Sequence, residues 1–333
     1  MARENSLIFF VLFIMFFFSG ENCFAAKKIE ENPKKITLSE TQAVMMAASY
    51  YGMGTAALKN NNNEKAILYL EQAIKLNPDF YQAYNVLGKT YGLVGRFDDA
   101  IKTLKRSMEI RSGNDTAYVN LAVVYHKMRD IEKAIQACET ATIINSSSIS
   151  AHSILGILYL ITSDETKAMQ ELNISINLSD NFVKSGFGSM VEGTGYFENC
   201  YMLGQLYSKK EDFARAIEMF EKAKDGYFAD PNFYSLLGNA YIKTGDYDLA
   251  IENFKYGINF APDEPSFAYN IACAYAKKGD KTESLKWLER AIKKYPIYKD
   301  SAKTDPDFQN IKDLEEFKKL TQKNSRQVKK VNK

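Results

Sequence analysis

Ala66, Ala100, Ala134 and Ala168 are separated by one constant step of 34 in the numbering, and that interval limits the fold more than any other feature. The next step is longer and reaches Ala216, after which Ala250 and Ser284 follow at the first spacing again. Other columns keep this register. Twelve places ahead of these positions stand Gly54, Gly88, Ala122, Gly156, Gly204, Gly238 and Ala272. Three beyond those come Ala57 and then Tyr91, Tyr125, Tyr159, Tyr207, Tyr241 and Tyr275. A further small column, Ala73, Ser107, Ala141, Ser175, Ala223, Gly257 and Ala291, lies seven beyond the alanines. One unit is written seven times.

Each unit reads as two amphipathic helices with a break between them. Gly95, Gly245 and Gly279 fall where the first helix must end in a left-handed residue, and Asp98 and Asp248 fall where a second helix favours an oxygen acceptor and negative charge. Small residues facing each other let paired backbones approach, and the tyrosine fills the wedge between neighbours. Burying one such ring removes about 150 to 250 Å² from water, a gross gain near 4 to 6 kcal/mol at about 25 cal/mol per Å². A single unit cannot cover its own apolar face, so the units must stack.

The pattern Tyr84, Leu87-Gly88, Tyr91, Ala100, Leu104 in the second unit, and Tyr234, Leu237-Gly238, Tyr241, Ala250, Phe254, Pro262 in the sixth, resembles the tetratricopeptide repeat. The resemblance implies an all-α fold: a right-handed α-solenoid of seven stacked helix-turn-helix repeats with a C-terminal capping helix. It departs at His152, which replaces the first aromatic of the fourth unit, and at Ala268 and Ser284 in the seventh. Repeats 1–4 are expected over 47–182 and repeats 5–7 over 197–298. The Gly-rich stretch 183–196 between them reads as an insertion loop, and Asn60 to Asn63 as a tight turn. Neither "GFG" nor "GTG" within that stretch has the strand before it or the Lys-Ser/Thr after it that a phosphate loop requires.

The ends differ from the middle. Residues 1–25 have the order of a secretory signal peptide, with Arg3, then apolar Leu7 to Phe18, then Cys23 and Ala25 ahead of a cut after Ala25. The expected location is exported, periplasmic or extracellular. An uncleaved amino-terminal anchor in the membrane is the rival reading, although the run is shorter than the roughly 20 residues a span needs. Residues 26–46 form a charged lead and the start of the first helix, near Glu40, with Ser39 and Gln42 as a capping box. Residues 299–320 are expected to be the cap, with "KTDPDFQNIKDLEEFKKL" as one amphipathic helix carrying Phe308, Ile311 and Phe317 in line. The basic 321–333 reads as a disordered tail, and membrane contact is an option for it as for the N-terminus. Export permits disulfides, yet Cys138, Cys200 and Cys273 are odd in number and without metal spacing, so they read as buried apolar side chains.

The family resemblance also says that the first helix of each unit lines a concave face, at its second, fifth, sixth, ninth and twelfth places. Those places give a candidate peptide-binding groove of Tyr51, Gln82, Asn85, Lys89, Asn120, His126, Ile157, Tyr201, Gln205, Asn239, Tyr269 and Asn270. Asparagine suits an extended peptide because its amide both donates and accepts. Asn85, Lys89 and Asn120 partly resemble a clamp for an acidic peptide end, but Ser153 and Ile154 stand where further basic residues belong.

A formal charge of +2, from 43 basic and 41 acidic residues, gives no field that would steer the chain to nucleic acid. Signal, repeats, cap and tail leave no block for a catalytic domain. His126 falls on the groove and His152 in a helix-pair core, without a catalytic constellation around either. The expectation is a non-enzymatic scaffold with a protein or peptide partner and no cofactor or metal; carbohydrate binding on Tyr51, Tyr201 and Tyr269 is a further alternative.

Overall fold

Each unit of the repeat becomes a helical hairpin because its two apolar faces can be buried only against each other and against the next copy. The computed structural model describes residues 38–185 and 195–322, and among these sixteen α-helices and no strand occur. The expected signal peptide, most of the lead, residues 186–194 of the insertion and the tail from 323 lie outside the described residues. The hairpins are α1 (Leu38–Lys59) with α2 (Asn63–Leu76), α3 (Tyr81–Leu93) with α4 (Phe97–Ile110), α5 (Asp115–Lys127) with α6 (Ile131–Ile144), and α7 (Ile149–Ile161) with α8 (Glu165–Lys184). Then follow α9 (Tyr196–Lys209) with α10 (Phe213–Ala223), α11 (Pro231–Thr244) with α12 (Tyr247–Phe260), and α13 (Pro265–Lys278) with α14 (Lys281–Lys294). The chain divides into two compact units, 1–151 and 152–333.

The small columns mark the tightest contacts. A Cβ built on Gly88 would stand 2.6 Å from Leu104 Cγ, and one on Gly238 2.5 Å from Phe254 Cε1. Gly54, Gly156 and Gly204 meet Leu70, Leu172 and Phe220 in the same way. The alanine column from Ala66 to Ala250, and Ser284, has no exposed surface. Tyr91, Tyr159, Tyr207 and Tyr241 are buried, while Tyr125 and Tyr275 are half-buried.

All seven hairpin turns share one backbone device. Gly95, Gly245 and Gly279 take positive φ, as their residue type suggests, but so do Asn61 (56°), Arg129 (64°), Ser163 (62°) and Glu211 (59°) at the same place. The cap of the second helix sits earlier than Asp98 and Asp248, which lie inside the first turn of their helices. It is Asn62, Asp130, Asp164, Asp212 and Asp280 whose side chains accept from the backbone N–H three residues on.

Three boundaries differ from the sequence reading. Helix α1 already includes Leu38, so Ser39 is a helical residue rather than the one before the helix. Helix α8 runs to Lys184 and α9 starts at Tyr196, which shortens the expected loop at both ends. The cap is broken rather than one helix: α15 (Tyr298–Thr304), a 3₁₀ turn at Pro306–Phe308, and α16 (Glu315–Thr321). Asp305-Pro306 is the cause, because a proline disfavours helical backbone in the residue before it. Asp305 is extended (ψ 120°) and its carboxylate accepts from the N–H of Asp307. Phe308, Ile311 and Phe317 nevertheless bury against Ala272, Leu288 and Ala291 of α13 and α14, so the last apolar face is covered.

Candidate functional site

The first helix of each hairpin presents its side chains in two classes. At the fifth place Tyr51, Asn85, Tyr201 and Tyr269 turn into the seam with the next hairpin, not outward. Tyr51 packs on Phe80 with ring centroids 5.1 Å apart. Tyr269 is 8% exposed and stacks on Tyr298 at 4.5 Å, with its phenol donating to Asp305 Oδ2 at 2.8 Å. Tyr201 stacks on Tyr227 at 4.5 Å, and Tyr227 on Phe233 at 5.7 Å. Helix α10 ends early at Ala223, and the 3₁₀ turn Lys224–Gly226 that follows brings Tyr227 under Tyr201.

Asn85 belongs to the same class. It is 5% exposed and exchanges two amide hydrogen bonds, both 3.0 Å, with Asn114. Asn114 Nδ2 also donates to Ser107 Oγ at 2.8 Å, its Oδ1 caps α5 at the N–H of Ala117, and Ser107 Oγ donates to Tyr81 O. Asn120 Nδ2 donates to the backbone carbonyl of Asn85 at 3.3 Å. The sequence reading of Tyr51, Asn85, Tyr201 and Tyr269 as groove residues is therefore corrected: they are seam residues. For Tyr51, Asn85 and Tyr269 the partners Phe80, Asn114 and Tyr298 each stand 29 further along the numbering, a spacing that was present in the sequence.

The second class lies at the other places, and its members differ in exposure. Lys89, His126, Gln205 and Asn239 are exposed, and Gln82, Asn120, Ile157 and Asn270 are half-buried. In unit 1 this leaves Gln82, Lys89, Asn120 and His126, and in unit 2 Ile157, Gln205, Asn239 and Asn270. Lys89 forms no ion pair among the described residues.

Other polar groups serve the stack. Tyr91 donates to Glu71 Oε1 at 2.6 Å, and burial together with that carboxylate pushes its phenol up to about 12. Tyr241 donates to Glu221 Oε1 at 3.0 Å, with its phenol raised for the same reasons, and Tyr207 accepts from Asn173 Nδ2 at 3.2 Å. His152 is 7% exposed, with Nδ1 2.6 Å from Glu171 Oε2, so the departure from an aromatic at that place is matched by a carboxylate on the paired helix. Cys138, Cys200 and Cys273 are buried and form no disulfide among the described residues, and burial lifts the Cys200 thiol to about 12. Cys273, Asp305 and Asp307 bring their ligand atoms within 4.8 Å of one another. There Asp305 accepts from Tyr269, and Asp307 pairs with Lys277 at 3.0 Å, which ties the cap to α13.

Models described as tetratricopeptide repeat match residues 51–115, 93–156, 197–225 and 265–296, and one described as TPR repeat matches 238–279. Together they run over more than half of the chain. The chain belongs to the tetratricopeptide repeat family. A UDP-N-acetylglucosamine–peptide N-acetylglucosaminyltransferase of Giardia intestinalis is 31% identical over 71 residues, 21% of this chain. The chain spans only 5% of that transferase. Among solved structures, YrrB, titled a TPR protein with an unusual peptide-binding site, is 20% identical with a TM-score of 0.49, over 58% of this chain and 92% of that one. PilF of Pseudomonas aeruginosa is 16% identical with a TM-score of 0.45, over 69% and 95%. A thermophilic TPR protein of Thermus thermophilus is 18% identical with a TM-score of 0.45, over 59% and 99%. Among the described residues no helix is long and apolar enough to cross a membrane.

Proposed function

We propose that this protein is an exported, non-catalytic scaffold that captures a peptide or protein segment on the first-helix face of its repeats and so assembles a complex in the cell envelope. The observation that carries the reading is the division of that face. Tyr51, Asn85, Tyr201 and Tyr269 are engaged in seams, while Lys89 and His126 in unit 1, and Gln205 and Asn239 in unit 2, stand exposed on helices whose other faces are buried. Exposed polar side chains on preformed helices can bind an extended chain without paying for the ordering of their backbone. Export rests on the order of residues 1–25, and retention of the apolar run Leu7 to Phe18 as an anchor is the second reading. The carbohydrate reading loses its support, since Tyr51, Tyr201 and Tyr269 have their rings packed on Phe80, Tyr227 and Tyr298.

The test is photo-crosslinking from intact cells, with a benzophenone amino acid at the exposed Gln205. The expected result is one crosslinked partner that disappears when Lys89→Glu and His126→Glu are combined, with helicity unchanged. Capture that survives this pair of changes removes the unit 1 groove. Sequencing the mature N-terminus separates the two locations: a start at Ala26 excludes the anchor, and a start at Met1 or Ala2 excludes cleavage.

A further inference from the structure

In unit 2 the seams between hairpins are built from different materials. Rings fill the one between α10 and α11, where Phe220 meets Phe233 at 6.0 Å, and the one between α12 and α13, where Phe254 meets Phe267 at 6.4 Å. Rings also fill the seam with the cap, where Tyr269 meets Phe308 at 5.5 Å. Polar groups bridge the seam between α8 and α9. Asn199, 1% exposed, donates to Ser175 Oγ at 3.1 Å and accepts from Ser153 Oγ at 3.0 Å. Asp180 accepts from the Tyr196 phenol at 2.6 Å and from Lys222 Nζ of α10 at 3.0 Å. Asn173 reaches Tyr207, and Glu165 pairs with Lys209.

Every one of these groups is solvated well once the seam parts, so each hydrogen bond holds it by only a small net margin. An aromatic seam, by contrast, returns ring area to water with nothing to offset it. In a stack stabilised by nearest-neighbour interfaces, the interface that polar bridges close, with no ring pair across it among the described residues, parts first. The backbone beside it can turn, because Gly195, which precedes α9, holds φ +72° with only Ser153 Oγ and Asn199 Oδ1 near its missing Cβ. We infer that the α8–α9 seam is a built-in opening joint, at which α7–α8 separates from the block α9-to-cap while that block stays folded.

Two native thiols report on this directly. Cys200 has no exposed surface and lies beside Asp180, Tyr196 and Lys222, whereas Cys273 is 4% exposed between α13 and the cap. Native full-length protein is pulsed with iodoacetamide, and the two cysteine peptides are quantified by mass. Cys200 is expected to react at least about tenfold faster than Cys273, as a local opening outpaces a global one. Equal rates, or a faster Cys273, overturn the joint. Asp180→Asn removes the charge that faces Lys222, and is expected to raise the Cys200 rate by about tenfold while leaving Cys273 unchanged. A variant that raises both rates together reports global unfolding and counts against the proposal. If the variant does not fold, the wild-type ratio still decides.

Discussion

At Gly88 the hairpin has no room for a methyl group. A Cβ there would fall 2.6 Å from Leu104 Cγ and 3.3 Å from the Ala100 carbonyl, so one helix must move. Gly88→Ala is expected to cost about 1 to 3 kcal/mol in urea unfolding despite alanine's better helix propensity; a stabilised variant would contradict the packing. Arg129 poses the opposite case, since a side chain sits at φ 64° where three other turns use glycine. Arg129→Gly is expected to raise stability by about 1 kcal/mol. Tyr91 gives a pH signature. The folded chain holds the phenol proton more tightly than the unfolded chain, so the contact with Glu71 contributes fully below pH 10 and is lost as the pH rises through about 12. Tyr91→Phe should lower the urea midpoint at neutral pH and flatten its fall across that alkaline window. Glycine and tyrosine columns were legible in the sequence because only a fixed spacing repeats them. The left-handed turns at Arg129, Ser163 and Glu211 were not, because the stack imposes that conformation on residues that do not prefer it.

Between elements, the same cap residue does different work in different seams. Asn62 and Asn114 both accept from the backbone N–H at the start of a helix. Asn62 is part-exposed, while Asn114 is 3% exposed and holds Asn85 and Ser107 as well. Asn62→Ala is expected to cost about 1 kcal/mol. Asn114→Ala is expected to cost about 2 to 4 kcal/mol, since it also leaves the buried Asn85 amide unpaired. Equal costs would mean that water replaces the lost partner. This seam was hidden from sequence reading because the fifth place was assigned by family likeness, whereas its direction follows from what the next hairpin sets opposite it, as Asn114 stands opposite Asn85. The broken cap, in contrast, was written openly: Asp305-Pro306 stops a helix, and the alignment of Phe308, Ile311 and Phe317 outweighed that signal. Their burial did not need one continuous helix, only three apolar side chains on one side of a folded-back segment.

Over the whole chain, the period matters as a phase as well as a length. Residues 81–114 span one period and contain both Asn85 and Asn114, while residues 98–131 span one period and contain only Asn114. Excising 81–114 joins Phe80 to α5 and brings Glu71 opposite Tyr125, so the shortened chain is expected to fold with one cooperative transition. Excising 98–131 leaves buried Asn85 opposite Ser148 and should fold less stably, by about 1 to 3 kcal/mol, from a single unpaired amide. Matching melting curves for the two deletions would refute the importance of phase. Because a period taken in the 81–114 phase carries both halves of its seam, a gene encoding this chain can gain or lose copies in that phase by unequal recombination and keep the joint intact. Length, and with it the number of surfaces offered to other molecules, is then the property most open to evolutionary change.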